Sequence, residues 1–199
     1  MTLELLNSLA TLGTFLVISA TAIAAIVQLR HARGSNQIAL LTEFRDAIHT
    51  AQFLDAQVFV ETELRNALED PALRHQLLNR SARTTQGQLL ITKINTIGNH
   101  YETMGQFVKS GLVDRNFVLE TWFDHITSYW EKLAPVAAIF RRNQGNSVWE
   151  NFEYLAVLSQ DWDASHPHGS YPKRVRRLEL PDDYKYADEQ YASSLAAVT

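Results

Sequence analysis

The feature that most constrains this chain is an uncharged run of residues from Leu5 to Leu29, closed by Arg30, His31 and Arg33. A helix over residues 5–29 rises about 37 Å at about 1.5 Å per residue, which is enough to cross a hydrocarbon core of about 30 Å. We therefore predict one transmembrane helix over 5–29, with a short extracytoplasmic N-terminus at 1–4.

Two other interpretations of this run are weaker. A cleaved signal peptide has a positively charged start and an apolar centre of about 7–15 residues, whereas this chain begins Met-Thr-Leu-Glu and its uncharged run is longer. A buried helix of a soluble protein more often has about 10–14 apolar residues. The hydroxyl side chains within the run bond to the carbonyls of their own helix and therefore cost little in lipid.

The distribution of charge predicts the orientation. Every Lys and Arg follows Leu29, and Arg30 is the first of them. Positive residues beside a span stay in the cytoplasm, and a chain without cysteine shows no need for an oxidising compartment. We expect a bacterial inner-membrane protein with its N-terminus outside and a cytoplasmic helical domain at 30–165.

The composition of the residues after Leu29 argues against a nucleic-acid binder and against a β-rich fold. This part of the chain contains all 18 Lys and Arg residues and all but one of the 22 Asp and Glu residues, so it is nearly balanced in charge. A nucleic-acid binder would show a strong basic excess on one face. Gly and Pro are sparse, at 8 and 5 residues, which favours helices over strands.

Helical periodicity is clearest in two long segments. Before these two segments, Asp70 as an N-cap and Pro71 at the first helical position predict a short helix that ends near Leu78. A buried stripe then ends at Gly111, and a second stripe begins behind an Asp114 cap, so we predict a long antiparallel hairpin. The stripes are Leu90, Ile94, Ile97, Tyr101, Met104 and Val108, and then Val118, Trp122, Ile126, Tyr129, Leu133, Val136 and Phe140.

A third helix is expected after the hairpin. Ser147-Val-Trp-Glu150 has the spacing of a capping box, with Trp149 and Phe152 directed inward. The fold class is therefore all-α: a transmembrane helix followed by a helical bundle. From His166 the pattern decays, and residues 166–199 are predicted to be an irregular tail. Its basic cluster at 173–177 fits anionic headgroups and a solvated run equally well.

Residues of the hairpin and of the third helix form a recognisable motif. Its positions are Tyr101, Glu102, Gly105, Val108, Gly111–Asp114, Trp130, Leu133, Pro135, Arg141, Trp149, Phe152, Glu153 and Leu155. This pattern resembles a bacterial membrane-anchored family catalogued as domain of unknown function 4760, over roughly residues 5–160. The resemblance implies the topology and the fold described above and leaves the biochemical activity open.

Candidate chemistry centres on Glu102 and Arg141. A buried pair of this kind beside a cleft would bind a polar ligand, whereas an architectural ion pair or a charge at a helix end is commoner and is favoured here. Glu153 is treated in the same way. No His-Glu-x-x-His motif, Glu-x-x-His motif, Gly-x-Ser-x-Gly elbow or phosphate-binding Gly-rich loop occurs. We therefore expect no metal, cofactor or catalytic residue.

The sequence thus predicts a single-pass membrane protein with a cytoplasmic binding or scaffold module. Its expected partners are the lipid bilayer, an unidentified protein and, as a homo-oligomer, other copies of itself through the anchor or the bundle. Ala20 and Ala24 are small residues four apart, a spacing that permits close contact between helices. The alternative is a membrane-tethered enzyme or toxin-like effector with a polar site near Glu102 and Arg141.

Overall fold

The computed structural model describes residues 2–196, apart from the side chains of Leu5, Leu6, Leu9, Arg33 and residues 195–196. Over these residues it contains helices and no strand, so the predicted all-α class is confirmed. Arg33, one of the three predicted junction residues, has its side chain outside the described part. The helices are α1 (Leu3–Ile48), α2 (Ala51–Thr62), α3 (Leu64–Ala67), α4 (Pro71–Leu78), α5 (Thr85–Lys109), α6 (Arg115–Gln144), α7 (Glu150–Ser165) and α8 (Lys185–Ala196), with a 3₁₀ turn at Arg80–Ala82.

The first helix is much longer than the apolar run that begins it. α1 has 46 residues and passes through Gly34 without a break, because one glycine costs a helix interior only about 1 kcal/mol. Within Ala10–Ile48, an 18-residue window has a mean hydropathy of 2.1, and none of that window is buried. By length and composition, this helix is apolar enough to cross a membrane.

The start of α4 and the turn between α5 and α6 follow local sequence signals. Asp70 Oδ1 accepts a hydrogen bond from Ala72 N at 2.8 Å at the start of α4, and Asp114 Oδ1 accepts one from Phe117 N at 2.8 Å at the start of α6. Gly111 follows the end of α5 with a φ of 71°, a left-handed conformation that glycine adopts without steric cost. Both predicted caps are confirmed.

The core forms where α5, α6 and α7 meet. α7 packs more extensively against α5 and α6 than these two helices pack against each other, and α2 covers α5 from another side. Phe44 of α1 is buried in the same cluster, so the long helix joins the core at its C-terminal end. The fully buried side chains include Phe59, Leu64, Leu77, Ile91, Ile94, Ile97, Val118, Ile126, Leu133, Val136, Phe152 and Leu155.

One part of the predicted irregular tail is helical. The chain divides into two compact units, Met1–Pro167 and His168–Thr199, and α8 lies in the second unit. Composition did not indicate α8, because its apolar residues do not form a buried stripe: the described residues from His168 onward are all exposed. Before α8, the basic cluster folds on itself, with the Arg177 guanidinium 4.7 Å from the ring centre of Tyr171.

Candidate functional site

The start of α7 crosses α5 at two glycines. Gly98 and Gly105 are both buried and lie seven residues apart, hence on one face of the helix. A Cβ at Gly98 would overlap the ring of Trp149, and a Cβ at Gly105 would overlap the backbone carbonyl of Asn151. The two glycines therefore set how closely α7 approaches α5.

Glu102 lies on the same face, between the two glycines. One carboxylate oxygen, Oε1, accepts a hydrogen bond from Asn151 Nδ2 at 2.7 Å, and Oε2 accepts one from the backbone N–H of Phe152 at 2.8 Å. The first turn of a helix has N–H groups without partners inside that helix, and the helix dipole favours negative charge there. Glu102 thus caps α7 from a neighbouring helix.

The predicted capping box at Ser147 is wrong. The N-cap of α7 is Trp149, which has a φ of 53° and makes no side-chain cap bond. Its indole is buried, and Nε1 donates a hydrogen bond to Asn99 Oδ1 at 3.0 Å. A left-handed conformation is unfavourable for a bulky residue, and here the indole packing and Glu102 hold the turn in place of a serine cap.

Arg141 joins the last turn of α6 to α7. Its Nε donates to the carbonyl of Val148 at 2.9 Å, and its Nη1 lies 2.8 Å from Glu153 Oε2. The guanidinium also lies 6.0 Å from the ring centre of Trp130, within the range of a cation–π interaction. Arg141 and Glu102 therefore do not form the pair of the ligand-site alternative. Glu102 binds the first turn of α7, and Arg141 binds Val148 and Glu153 at the start of the same helix.

Tyr101 connects this junction to a small polar and aromatic cavity. Its ring stacks on Phe152 at 5.0 Å and on Tyr129 at 5.5 Å between ring centres. The Tyr129 hydroxyl donates a hydrogen bond to Glu61 Oε1 at 2.5 Å. The cavity beside these rings has a volume of about 90 Å³ and is lined by Phe44, Ile48, Phe53, Gln57, His100, Tyr101, Met104, Trp122, His125 and Tyr129.

Burial perturbs the titratable groups around this cavity. It lowers the pKa of His100 to about 4 and raises the pKa of Tyr101. Burial, and then the hydrogen bond to Glu61, raise the pKa of Tyr129. That same hydrogen bond is the main cause of a lowered pKa at Glu61. His100 is therefore neutral near pH 7, packed edge-on against Phe44 at 5.4 Å and Phe53 at 5.0 Å.

The remaining predicted positions lie outside this junction. Gly111 and Asp114 end α5 and begin α6, and Arg30 and His31 are exposed on α1. Sequence reasoning missed Glu61, because its partner Tyr129 is 68 residues away and no local signal links them. It also missed Asn99 and Asn151, whose bonds depend on how α5 and α7 cross. Over the described residues, no three His, Asp or Glu side chains form a group able to hold a metal ion.

The family model described as Domain of unknown function (DUF4760) matches residues 15–162. The chain belongs to this family. The DUF4760 match includes every motif position named above and stops near the end of α7. No curated protein and no solved structure matches the chain.

In this DUF4760 member, the motif positions do two structural jobs. Glu102, Arg141, Trp149 and Glu153 attach α7 to α5 and α6, while Gly111 and Asp114 form the hairpin turn. The match confirms the predicted membership of the DUF4760 family, and the motif builds the junction between the helices of the domain.

Proposed function

We propose that this chain is a single-pass protein of a bacterial inner membrane, with its N-terminus outside and its helical domain in the cytoplasm. We propose further that the domain works by binding a protein partner, as a scaffold or accessory module. The observation that carries the proposal is the N-terminal part of α1, which is apolar and unburied.

Large apolar side chains surround this part of the helix. Leu12, Phe15 and Val17 are 58%, 64% and 66% exposed. Soluble monomers rarely expose contiguous apolar patches larger than a few hundred Å², and the core of the domain is already filled by residues from Phe44 onward. Hydrocarbon is the solvent that suits such a surface, which favours a retained anchor over a core helix.

The continuity of α1 supports a close tether. Phe44 lies 15 residues beyond Leu29 on an unbroken helix, which places it about 22 Å along the axis from the end of the uncharged run. Because Phe44 packs on His100 and Phe107, the anchor enters the core without a flexible linker. The exposed Arg30 beside the span favours the cytoplasm for this end.

The chemistry of the domain favours binding over catalysis. Glu102, Arg141 and Glu153, the residues of the enzyme alternative, are engaged in bonds that hold α7. The cavity at Tyr101 has about 90 Å³, whereas pockets for small molecules usually have about 300–1,000 Å³. A larger groove of about 740 Å³ lies between α1 and α6, and none of these three residues lines it. These observations support an architectural role for the motif residues and binding of a partner through the surface of the domain.

Fractionation and cysteine labelling test the topology. The chain contains no cysteine, so Thr2→Cys and Ser193→Cys each introduce a single reactive thiol at an exposed position. The full chain should remain in the membrane after alkaline washing. In spheroplasts, a membrane-impermeant maleimide should label Thr2→Cys, and should label Ser193→Cys only after lysis. Recovery in the aqueous fraction would contradict the anchor, and the reverse labelling would contradict the orientation.

A second experiment separates binding from catalysis. Removal of residues 1–29 and localisation of the product would show whether the anchor is needed to hold the domain at the membrane. Pull-down of the full chain from a membrane extract should recover a partner that Glu102→Gln, a nearly isosteric change, still recovers. Where deletion of this chain changes growth, failure of Glu102→Gln to restore growth at unchanged abundance and stability would instead favour the enzyme alternative.

A further inference from the structure

An apolar groove runs between the second half of α1 and the first turns of α6. Its volume is about 740 Å³. Ile38 on one wall is 67% exposed and Phe117 on the other is 47% exposed. The groove is lined by Gly34, Gln37, Ile38, Leu41, Thr42, Arg45, Ile48, His49, Phe117, Thr121 and Trp122.

The α1 wall of this groove belongs to a longer seam. Going towards the N-terminus, small or apolar residues occupy this face at alternating spacings of three and four along the unbroken helix, with His31 and Arg45 as the exceptions. This is the heptad spacing at which two helices pack in a left-handed coiled coil. The seam consists of Ala10, Gly13, Val17, Ala20, Ala24, Val27, His31, Gly34, Ile38, Leu41, Arg45 and Ile48.

The seam is a different face of α1 from the one that joins the core. Leu40, Phe44 and Ala47 lie towards α5, where they face Asn99, His100 and Phe107. Ile38 and Leu41 point instead into the groove. A Cβ built at Gly13 or at Gly34 would meet no atom within 4 Å. Leu41 and Ile48, at the far end of the seam, are partly buried and also pack against the core. Described residues of the same chain therefore leave this face open from the anchor to Ile38 and cover it in part beyond that residue.

We propose that a second copy of this chain packs parallel to the first along this seam, with its α1 filling the groove. The inference rests on the proposed membrane anchoring. Two copies inserted in the same orientation carry residues 34–48 at the same height above the bilayer, so the seams meet in register without further alignment. Such an interface is isologous and closes as a dimer.

A bilayer lipid fits this groove less well than a helix does. Gly34 lies five residues past Leu29, or about 7 Å along the axis, and His49 lies about 30 Å past it. The headgroup layer adds only about 5–7 Å to each side of the hydrocarbon core. Most of the groove therefore lies beyond the membrane, where an exposed apolar wall needs a protein surface to cover it.

The seam residues suit contact with a second helix both inside the membrane and above it. Within the uncharged run, Ala20 and Ala24 permit the close backbone approach on which helix pairing in lipid depends. Above the membrane, Ile38 and Leu41 supply apolar side chains that gain from leaving water. Arg45 is a charged residue at a seam position, where a polar residue lowers the stability of a coiled coil and specifies its register.

Single-cysteine cross-linking of the full chain in native membranes tests the dimer. Gly34→Cys and Ile38→Cys lie on the seam, whereas Asn36→Cys and Ala39→Cys lie on other faces of the same helix; all four positions are exposed. A short bifunctional maleimide should give a covalent dimer at the two seam positions. The yield should be at least about tenfold lower at the other two, because a helix is about 10–12 Å across and thiols on the outer faces of two paired helices lie beyond the reach of a short linker.

A matched pair of variants inside the anchor provides the control. Ala20→Ile adds bulk on the seam, and Ala22→Ile adds the same bulk on the opposite face of the helix. In the Ile38→Cys background, Ala20→Ile should reduce the dimer about tenfold, and Ala22→Ile should leave it unchanged. Equal effects of the two changes would overturn the proposed seam.

The remaining outcomes are distinct. Cross-linking at Asn36→Cys and Ala39→Cys but not at the seam, or no dimer at any position in a chain that stays in the membrane fraction, overturns the dimer and leaves the anchor intact. Attachment of the seam cysteines to a protein of another mass assigns the groove to that protein and overturns the proposal. A chain found in the aqueous fraction overturns the anchoring itself.

Discussion

Substitution of Gly105 by alanine should damage the junction between α5 and α7 more than its small size suggests. A methyl group at this position overlaps the carbonyl of Asn151, which belongs to the first turn of α7 and has no flexible end that can move aside. α7 must therefore shift, and its bonds to Glu102, now 2.7 and 2.8 Å long, must lengthen.

The magnitude follows from three terms. Overpacking of a core costs about 1–3 kcal/mol, and a weakened hydrogen bond to a charged group costs about 1.5–3 kcal/mol. Alanine is favoured over glycine in a helix interior by about 1 kcal/mol. The net loss is about 1.5–5 kcal/mol, which lowers the melting temperature by about 3–20 °C for a chain of this size.

The assay is thermal unfolding of the full chain in detergent, followed by circular dichroism at a helical wavelength. The neighbouring Gln106→Ala is the control, because Gln106 is exposed on the same helix and its replacement should change the melting temperature by no more than about 2 °C. A Gly105→Ala protein that melts with or above the wild type would refute the close approach of α7 to α5.

Three further results are expected. His100 has a pKa of about 4 in the fold against 6.5 in the unfolded chain, so the unfolded state binds more protons and stability falls by about 2 kcal/mol from pH 7 to pH 5; unfolding titrations of His100→Gln should lack this slope, and a slope equal to that of the wild type would contradict the assignment. Tyr129→Phe removes the hydrogen bond to Glu61 and should cost about 1 kcal/mol and return the pKa of Glu61 towards its ordinary value, as measured by NMR titration; an unmoved Glu61 pKa would show that the bond does not form. Asp114→Ala removes the cap on Phe117 N and should cost about 1 kcal/mol in denaturant unfolding, while Asp114→Asn keeps most of it; equal losses in both would mean that charge, and not the cap bond, matters.

Local signals in the sequence predicted both ends of α4, the end of α5 and the start of α6. Asp70 with Pro71, and Asp114 before α6, place a capping side chain within three residues of the N–H that it binds. The buried stripe of α5 is equally local, because its apolar residues repeat with the helical period. Such features depend only on residues that are close in the sequence, and they can therefore be predicted without the tertiary structure.

Ser147 shows where local signals fail. Its spacing to Glu150 satisfies the capping-box pattern, yet α7 begins behind a left-handed Trp149 and takes its cap from Glu102. The carboxylate is about fifty residues away from the helix that it caps. Only the packing of α7 onto Gly98 and Gly105 brings these groups together, and no periodicity within α7 encodes it.

By itself, the sequence determined the all-α class, the apolar helix at the N-terminus, the hairpin and membership of the family, since each depends on composition or on spacing within one segment. The tertiary structure alone decided that Glu102 and Arg141 bind α7 and not each other, that Glu61 meets Tyr129, and that α1 continues unbroken from Leu3 to Ile48 beside an open groove. The physical reason is that helix packing decides which side chains distant in the sequence come into contact, and packing depends on several helices at once. A local signal depends only on residues within one segment.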